Sequence, residues 1–120
     1  MLIKELEKCE EFLAGDKTLL RELLHPDRIT EAAFRYSLAH ATVKGGESSA
    51  PHTLKTSEVY YILEGEGEMH IDKECAIVHA GQAVVIPPNT TQYIRNTDRA
   101  DLKFLCIVDP AWRQENETVF

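Results

Sequence analysis

Cysteine is scarce in this sequence and forms no pairing pattern. Cys9, Cys75 and Cys106 make an odd count, and none stands in a Cys-x-x-Cys spacing. They read as reduced thiols buried as small hydrophobes. Cys106, inside the apolar run Leu102 to Val108, is the clearest case. Nothing nearby marks an activated nucleophile, which sets cysteine catalysis aside. Basic residues are also in the minority. Lys and Arg number 13 against 20 Asp and Glu, for a net charge of -7. That balance favours solubility and argues against a nucleic-acid surface, which needs clustered cations. Missing too is an apolar run long enough to span a membrane. The stretch Met1 to Phe12 is charged throughout and lacks the apolar core of a signal peptide. A cytoplasmic address is therefore the expectation. Repeats and low-complexity linkers are absent, and 120 residues at 43% hydrophobic and 28% charged fit one soluble globular domain.

What the chain does contain is a succession of short apolar segments divided by turn residues. Leu2, Leu6, Cys9 and Leu13 recur at spacings of four, three and four, which predicts a short N-terminal helix ended by Gly15-Asp16. Thr18 to Leu24 fits helix or strand equally. His25-Pro26-Asp27 closes it, because the residue before proline is pushed out of helical geometry, and His25 is expected as a solvated turn residue. Phe34 to Val43 reads as a strand. Ser37, Ala39 and Ala41 form its close-packed face, opposite Phe34, Tyr36, Leu38, His40 and Thr42. His40 is then either a hydrogen-bonded core histidine or part of an internal pocket. Later segments alternate in the same manner. His70 and His79 are expected on wet surfaces. Ala83 to Ile86 is a short buried strand stopped by two prolines, and Gln92, Ile94 and Asn96 share one face. At least six strands at intervals of about ten residues argue an all-β sandwich or barrel.

The stretch Pro51 to Gly67 organises the rest. It opens on His52, reaches Glu58 six residues later and runs into the apolar strand around Val59 to Leu63. Residues two apart share a face, so His52 pairs with Leu54, and Glu58 with Tyr60 and Ile62. If the chain bends between Lys55 and Ser57, the imidazole and the carboxylate can converge inside a sheet or barrel. A carboxylate aimed into a barrel is costly unless a cation or donors meet it. His52 and Glu58 are thus the candidate acid/base pair, with His40, Leu54, Tyr60 and Ile94 as candidate pocket walls.

The spacing of these residues resembles the cupin superfamily, small jelly-roll barrels of two packed antiparallel sheets. Gly46, His52, Glu58 and Gly65 fall at the positions of its first motif, and Gly81, Pro87 and Asn96 at those of its second. Together the motifs span residues 46 to 96. Leu54 stands where the first motif has a second histidine, Gln92 where the second motif has its histidine, and Asn89 where that motif has an inner glycine. The resemblance implies an all-β cupin jelly roll with 1–33 as N-terminal helix and strand, 34–108 as barrel core and 109–120 as a tail packed over one end. It makes Thr18 to Leu24 an extra strand. It also implies one divalent metal at the barrel centre, zinc, nickel, manganese or iron, held here by His52, Glu58 and, through its amide oxygen, Gln92.

Two functions follow from the resemblance. One is an enzyme that positions a small polar molecule on the metal and moves protons with Glu58 or His52, as an isomerase, cyclase or lyase. The loss of histidines makes oxygen activation the least fitting of the superfamily's chemistries. The other is a metal-free module that binds or senses a sugar or organic acid without turnover. A homodimer is the expected assembly, with the N-terminal stripe and the Trp112 tail as contributors.

Overall fold

The computed structural model describes residues 1–120. Eleven strands form two antiparallel sheets packed face to face. They are β1 (Glu11–Leu13), β2 (Leu19–Leu24), β3 (Ser37–Val43), β4 (His52–Leu54), β5 (Ser57–Glu64), β6 (Glu66–Ile71), β7 (Glu74–His79), β8 (Ala83–Ile86), β9 (Gln92–Asn96), β10 (Leu102–Asp109) and β11 (Glu117–Val119). The six-stranded sheet runs β1-β2-β3-β10-β5-β8 and the five-stranded sheet β11-β4-β9-β6-β7. This is the expected cupin jelly roll.

Two-residue alternation decides what faces inward. In β10, Leu102, Phe104, Cys106 and Val108 are buried, while the residues between them are more open. In β5 the buried set is Glu58, Tyr60 and Ile62. At one end of the sandwich Val43, Ile62, Ile94 and Leu102 pack solid, each at 4% exposure or less. Following β10 the other way, Val108 stands opposite both Ser37 and Glu58, and there the filling gives out into a cavity. The rings of Tyr60 and Phe104, 4.4 Å apart, divide the two regions. The turn at Gly65 is tight for a stated reason. Its φ is +87°, and a Cβ there would lie 2.8 Å from the Asp101 carbonyl oxygen.

The N-terminal helix is reduced to a single 3₁₀ turn at Leu6–Lys8, and Leu13 of the predicted stripe lies in β1. A helix there would find no core to bury its stripe. Instead β1 pairs with β2 through Phe12↔Leu20 and Leu13↔Leu19, and Arg21 donates 2.9 Å to the Cys9 carbonyl. Backbone pairing to a sheet edge outweighs local helix propensity. Thr18 to Leu24 resolves as a strand. The tail also departs from expectation, since β11 joins the five-stranded sheet beside β4. Both flanks are thus built into the barrel. No helix is long and apolar enough to cross a membrane.

The cysteines do not behave alike. Cys106 is buried, Cys9 is partly open and Cys75 is exposed. His25, expected in solvent, is buried, with 3% of its surface exposed. Its Nε2 donates to the Trp112 carbonyl at 2.7 Å, and its Nδ1 accepts from the Asp27 amide at 3.1 Å.

Candidate functional site

The cavity holds about 210 Å³. Its walls are mostly apolar, with Phe12, Leu20, Leu54, Tyr60, Phe104 and Trp112 prominent, and its polar groups are chiefly acidic.

His52 reaches it from β4 and is 2% exposed. Its Nδ1 lies 2.7 Å from the Ala50 carbonyl oxygen, which fixes the ring proton on Nδ1 and leaves the Nε2 lone pair facing inward. Asp16 comes from the turn between β1 and β2. Its Oδ1 accepts from the Thr18 amide at 3.1 Å and the Thr18 hydroxyl at 2.8 Å, so Oδ2 is the free oxygen, 3.7 Å from His52 Nε2. Glu117 comes from the first residue of β11. The Trp112 indole donates to its Oε2 at 3.2 Å. One ligand atom from each of these three residues lies within 4.8 Å of the others. All three have one atom gripped from outside and one left inward, the arrangement that orients metal ligands.

Glu58, 6% exposed, enters the same cavity from β5. Gln92 Nε2 donates to its Oε1 at 3.0 Å, and Tyr60 donates to Gln92 Oε1 at 3.1 Å. A phenol donor at one end and a carboxylate acceptor at the other set which way the amide points. Burial pushes the Glu58 carboxyl up to about 8; the Gln92 bond opposes this, while Asp16 and Glu117 add to it. Burial and Asp16 likewise raise Glu117, against the pull of His52 and the Trp112 bond. Like charges crowded in a desolvated space resist ionisation.

The predicted site residues therefore divide. His52, Glu58, Leu54 and Tyr60 line the cavity. No hydrogen bond or ion pair joins His52 to Glu58; the carboxylate beside His52 is Asp16, and the donor to Glu58 is Gln92. The amide oxygen of Gln92, expected as a metal ligand, is taken by Tyr60. Ile94, fully buried, belongs to the solid core and not to the cavity wall. His40 turns the other way. Ala39 lines the cavity and Ala41 the core, so the residue between them points out of the barrel. Burial, then Lys103 and Arg21, hold the His40 imidazole below its usual range.

A one-nitrogen, two-carboxylate set suits a divalent cation such as zinc or manganese, so the residues present fit the metal that the barrel implies. A description of the cupin domain as a sequence family matches residues 39–108. The chain belongs to the cupin family. This cupin is 37% identical over 116 residues to an uncharacterized protein of Methanocaldococcus jannaschii, covering 96% of this chain and 91% of that protein. Among solved cupin structures, a predicted oxalate decarboxylase of Thermotoga maritima superposes with a TM-score of 0.77 at 22% identity, covering 91% of this chain and 99% of that one. The nucleoside dehydratase Pac13 gives 0.79 at 17% identity over 100% and 91%, and a substituted form of Streptomyces PAC13 with uridine gives 0.77 at 16% over the same shares. The polyketide cyclase RemF of Streptomyces resistomycificus gives 0.77 at 19% over 97% and 89%. At such identities the structures establish the fold.

The segment matched by the family ends short of two of the three convergent ligands. Asp16 precedes it and Glu117 follows it, and neither was anticipated from sequence. Asp16 did carry a local signal, a threonine two residues on whose amide and hydroxyl cap its side chain. For Glu117 the deciding event is the pairing of β11 with β4, which has no local signature.

Proposed function

We propose that this cupin is an acid/base catalyst of isomerase, cyclase or lyase type, acting on a small neutral hydroxylated molecule beside a divalent cation in the barrel. The observation that carries the reading is the convergence of Asp16 Oδ2, His52 Nε2 and a Glu117 oxygen, each oriented from outside, in one cavity with a carboxyl group that stays protonated at neutrality. When bound, the cation would polarise a substrate oxygen as a Lewis acid. Glu58 supplies the proton. Its Oε1 is engaged by Gln92, so Oε2 carries the hydrogen; in the cation-free cavity a carboxyl near 8 is mostly the acid at pH 7, and a cation bound nearby would make it a stronger acid. Phe12, Leu54, Phe104 and Trp112 take the apolar part of the ligand and exclude water. Asp16, Glu22, Glu58 and Glu117 face His52 and an Arg28 already paired with Glu22 at 2.6 Å. With Glu58 protonated and the cation bound, Asp16, Glu22 and Glu117 are balanced by Arg28 and the ion, so no net positive charge is left to attract an organic acid and neutral hydroxyl compounds are the better match. A dehydratase and a cyclase among the structural relatives support the choice of reaction class. The exposed Phe12 and Leu13 on edge strand β1 are where a homodimer of this cupin would form.

A metal-free binding module is the second reading. One observation favours it: Tyr60 and Gln92 already provide Glu58 with a donor without any cation.

The test is calorimetric titration of tag-free protein with Mn²⁺, on wild type and on Asp16→Asn, His52→Ala, Glu117→Gln and Glu58→Gln. The first three are expected to weaken binding by tenfold or more, on the order of what altered ligand shells cost. Glu58→Gln should bind the cation and lose conversion of a panel of sugars and nucleosides followed by NMR. Equal affinity across all five proteins overturns the cation site. Ligand-induced shifts without conversion by wild type select the second reading.

A further inference from the structure

The outward face of the five-stranded sheet carries a second convergence, separate from the cavity. Glu68 and His70 leave β6 on the side opposite the buried Gly67 and Met69. In the sheet register His70 stands opposite Cys75 on one side and Tyr93 on the other, while Glu68 stands opposite Arg95. His70 Nε2 is 2.6 Å from Glu68 Oε1 and 3.7 Å from Cys75 Sγ. The three donor atoms lie within 4.8 Å of one another.

Both neighbours address the same ring nitrogen. A catalytic relay would place the carboxylate on Nδ1 and the thiol on Nε2, so this is not a nucleophile with its base and orienter. One N–H also cannot point at both partners at once. A cation between them would satisfy all three. For tetrahedral zinc, with Zn–S near 2.3 Å and Zn–N near 2.0 Å, ligand sulfur and nitrogen stand about 3.5 Å apart, close to the distance found. The carboxylate oxygen needs about 0.7 Å of retreat to reach the corresponding N···O edge of roughly 3.3 Å.

The surroundings hold the ligands ready. Tyr93 stacks flat on the imidazole, centroids 4.2 Å apart and planes within 9°, which fixes the ring plane. Arg95 Nη2 lies 3.5 Å from Glu68 Oε2 and turns Oε1 toward the centre. We propose that Glu68, His70 and Cys75 form a zinc-class cation site on the outer wall of the barrel. Thiolate with imidazole selects borderline and soft ions over magnesium or calcium. Binding releases the Cys75 thiol proton to solvent and leaves the single His70 ring proton on Nδ1, so that Nε2 is free for the ion, and the thiolate and carboxylate then balance the two charges of the ion. Cys75 is exposed, so water completes the coordination and the ion stays exchangeable. The assignment stands independently of the cavity.

Cobalt(II) is the probe, because a cobalt–sulfur bond gives a charge-transfer absorption that oxygen and nitrogen ligands do not. Reduced, tag-free protein is expected to show this band, saturating with one sulfur-ligated cobalt per chain and bleached by added zinc. Cys75→Ser and His70→Gln should abolish it; Cys9→Ser, Cys106→Ala and His52→Ala should keep it. Zinc should also slow modification of Cys75 by a thiol reagent. Both abolishing substitutions lie on the barrel's outer wall, and circular dichroism checks that the barrel persists. A missing band, or one that survives Cys75→Ser or disappears with Cys106→Ala, overturns the proposal.

Discussion

Glu58 is the residue whose charge the fold most strongly opposes. Its carboxyl rises from an ordinary value of 4.5 to about 8 in the folded chain, so between those values the native state keeps a proton that the unfolded chain has lost. Stability then falls as pH rises through this window, by at most roughly 1.4 kcal/mol per pH unit. Below 4.5 both states are protonated and the contribution is fully present; above 8 it is gone. In metal-free buffer Glu58→Gln should therefore remove most of the decline in urea midpoint between pH 5 and pH 9. It should leave the variant more stable than wild type at the alkaline end. Parallel curves for the two proteins would mean that the carboxyl is not held neutral. Asn89 is a second residue with a local explanation. Its φ is +64°, a left-handed conformation that asparagine tolerates better than most residues, and it occupies the position of the motif's inner glycine. A glycine would adopt this backbone as readily, so the departure from the family pattern costs little here.

At the scale of elements, the last strand decides whether the cavity has its third carboxylate. Trp112 N–H holds Glu117 Oε2, and His25 holds the Trp112 carbonyl. Trp112→Phe keeps an aromatic wall and removes the donor. It should lower cation affinity by about 10- to 100-fold while the thermal midpoint of the metal-free protein moves by only a few degrees. Calorimetry and a thermal scan on the same sample separate the two effects, and unchanged affinity would exclude Trp112 as a positioning residue. The elements also show where sequence is informative. Alternation in β5, β9 and β10 was legible because each has one fully buried face, so Glu58, Gln92 and Cys106 were placed inside correctly. The N-terminal stripe misled because its spacing suits a helix while its residues find only a sheet edge. His25 was misjudged because its burial depends on a carbonyl contributed from the far end of the chain. The site was half legible for the same reason: His52 and Glu58 lie within the motif, whereas Asp16 and Glu117 are assembled by tertiary pairing.

For the molecule as a whole, carboxylates outnumber cations both on the chain and in its cavity. Ligand binding to the native state alone raises stability by mass action, about 2.7 kcal/mol at a hundredfold excess over Kd. Mn²⁺, which a thiolate site does not favour, should at that excess raise the thermal midpoint of wild type, and a chelator should reverse the rise. The increment should be much reduced in a chain carrying Asp16→Asn and Glu117→Gln together. Among organic ligands, neutral sugars or nucleosides should shift the midpoint more than dicarboxylates at equal concentration. The reverse ranking would show that the acidic lining does not govern selection.

Asp16 hangs from the turn after one short edge strand, and Glu117 begins another at the margin of the opposite sheet. Such margins ordinarily fray first. An occupant gripped by both would act as a buckle across the sandwich, quieting two distant selvedges at once. Amide exchange in β1 and β11 would then slow in step, so the state of the interior could be read from the behaviour of the rim.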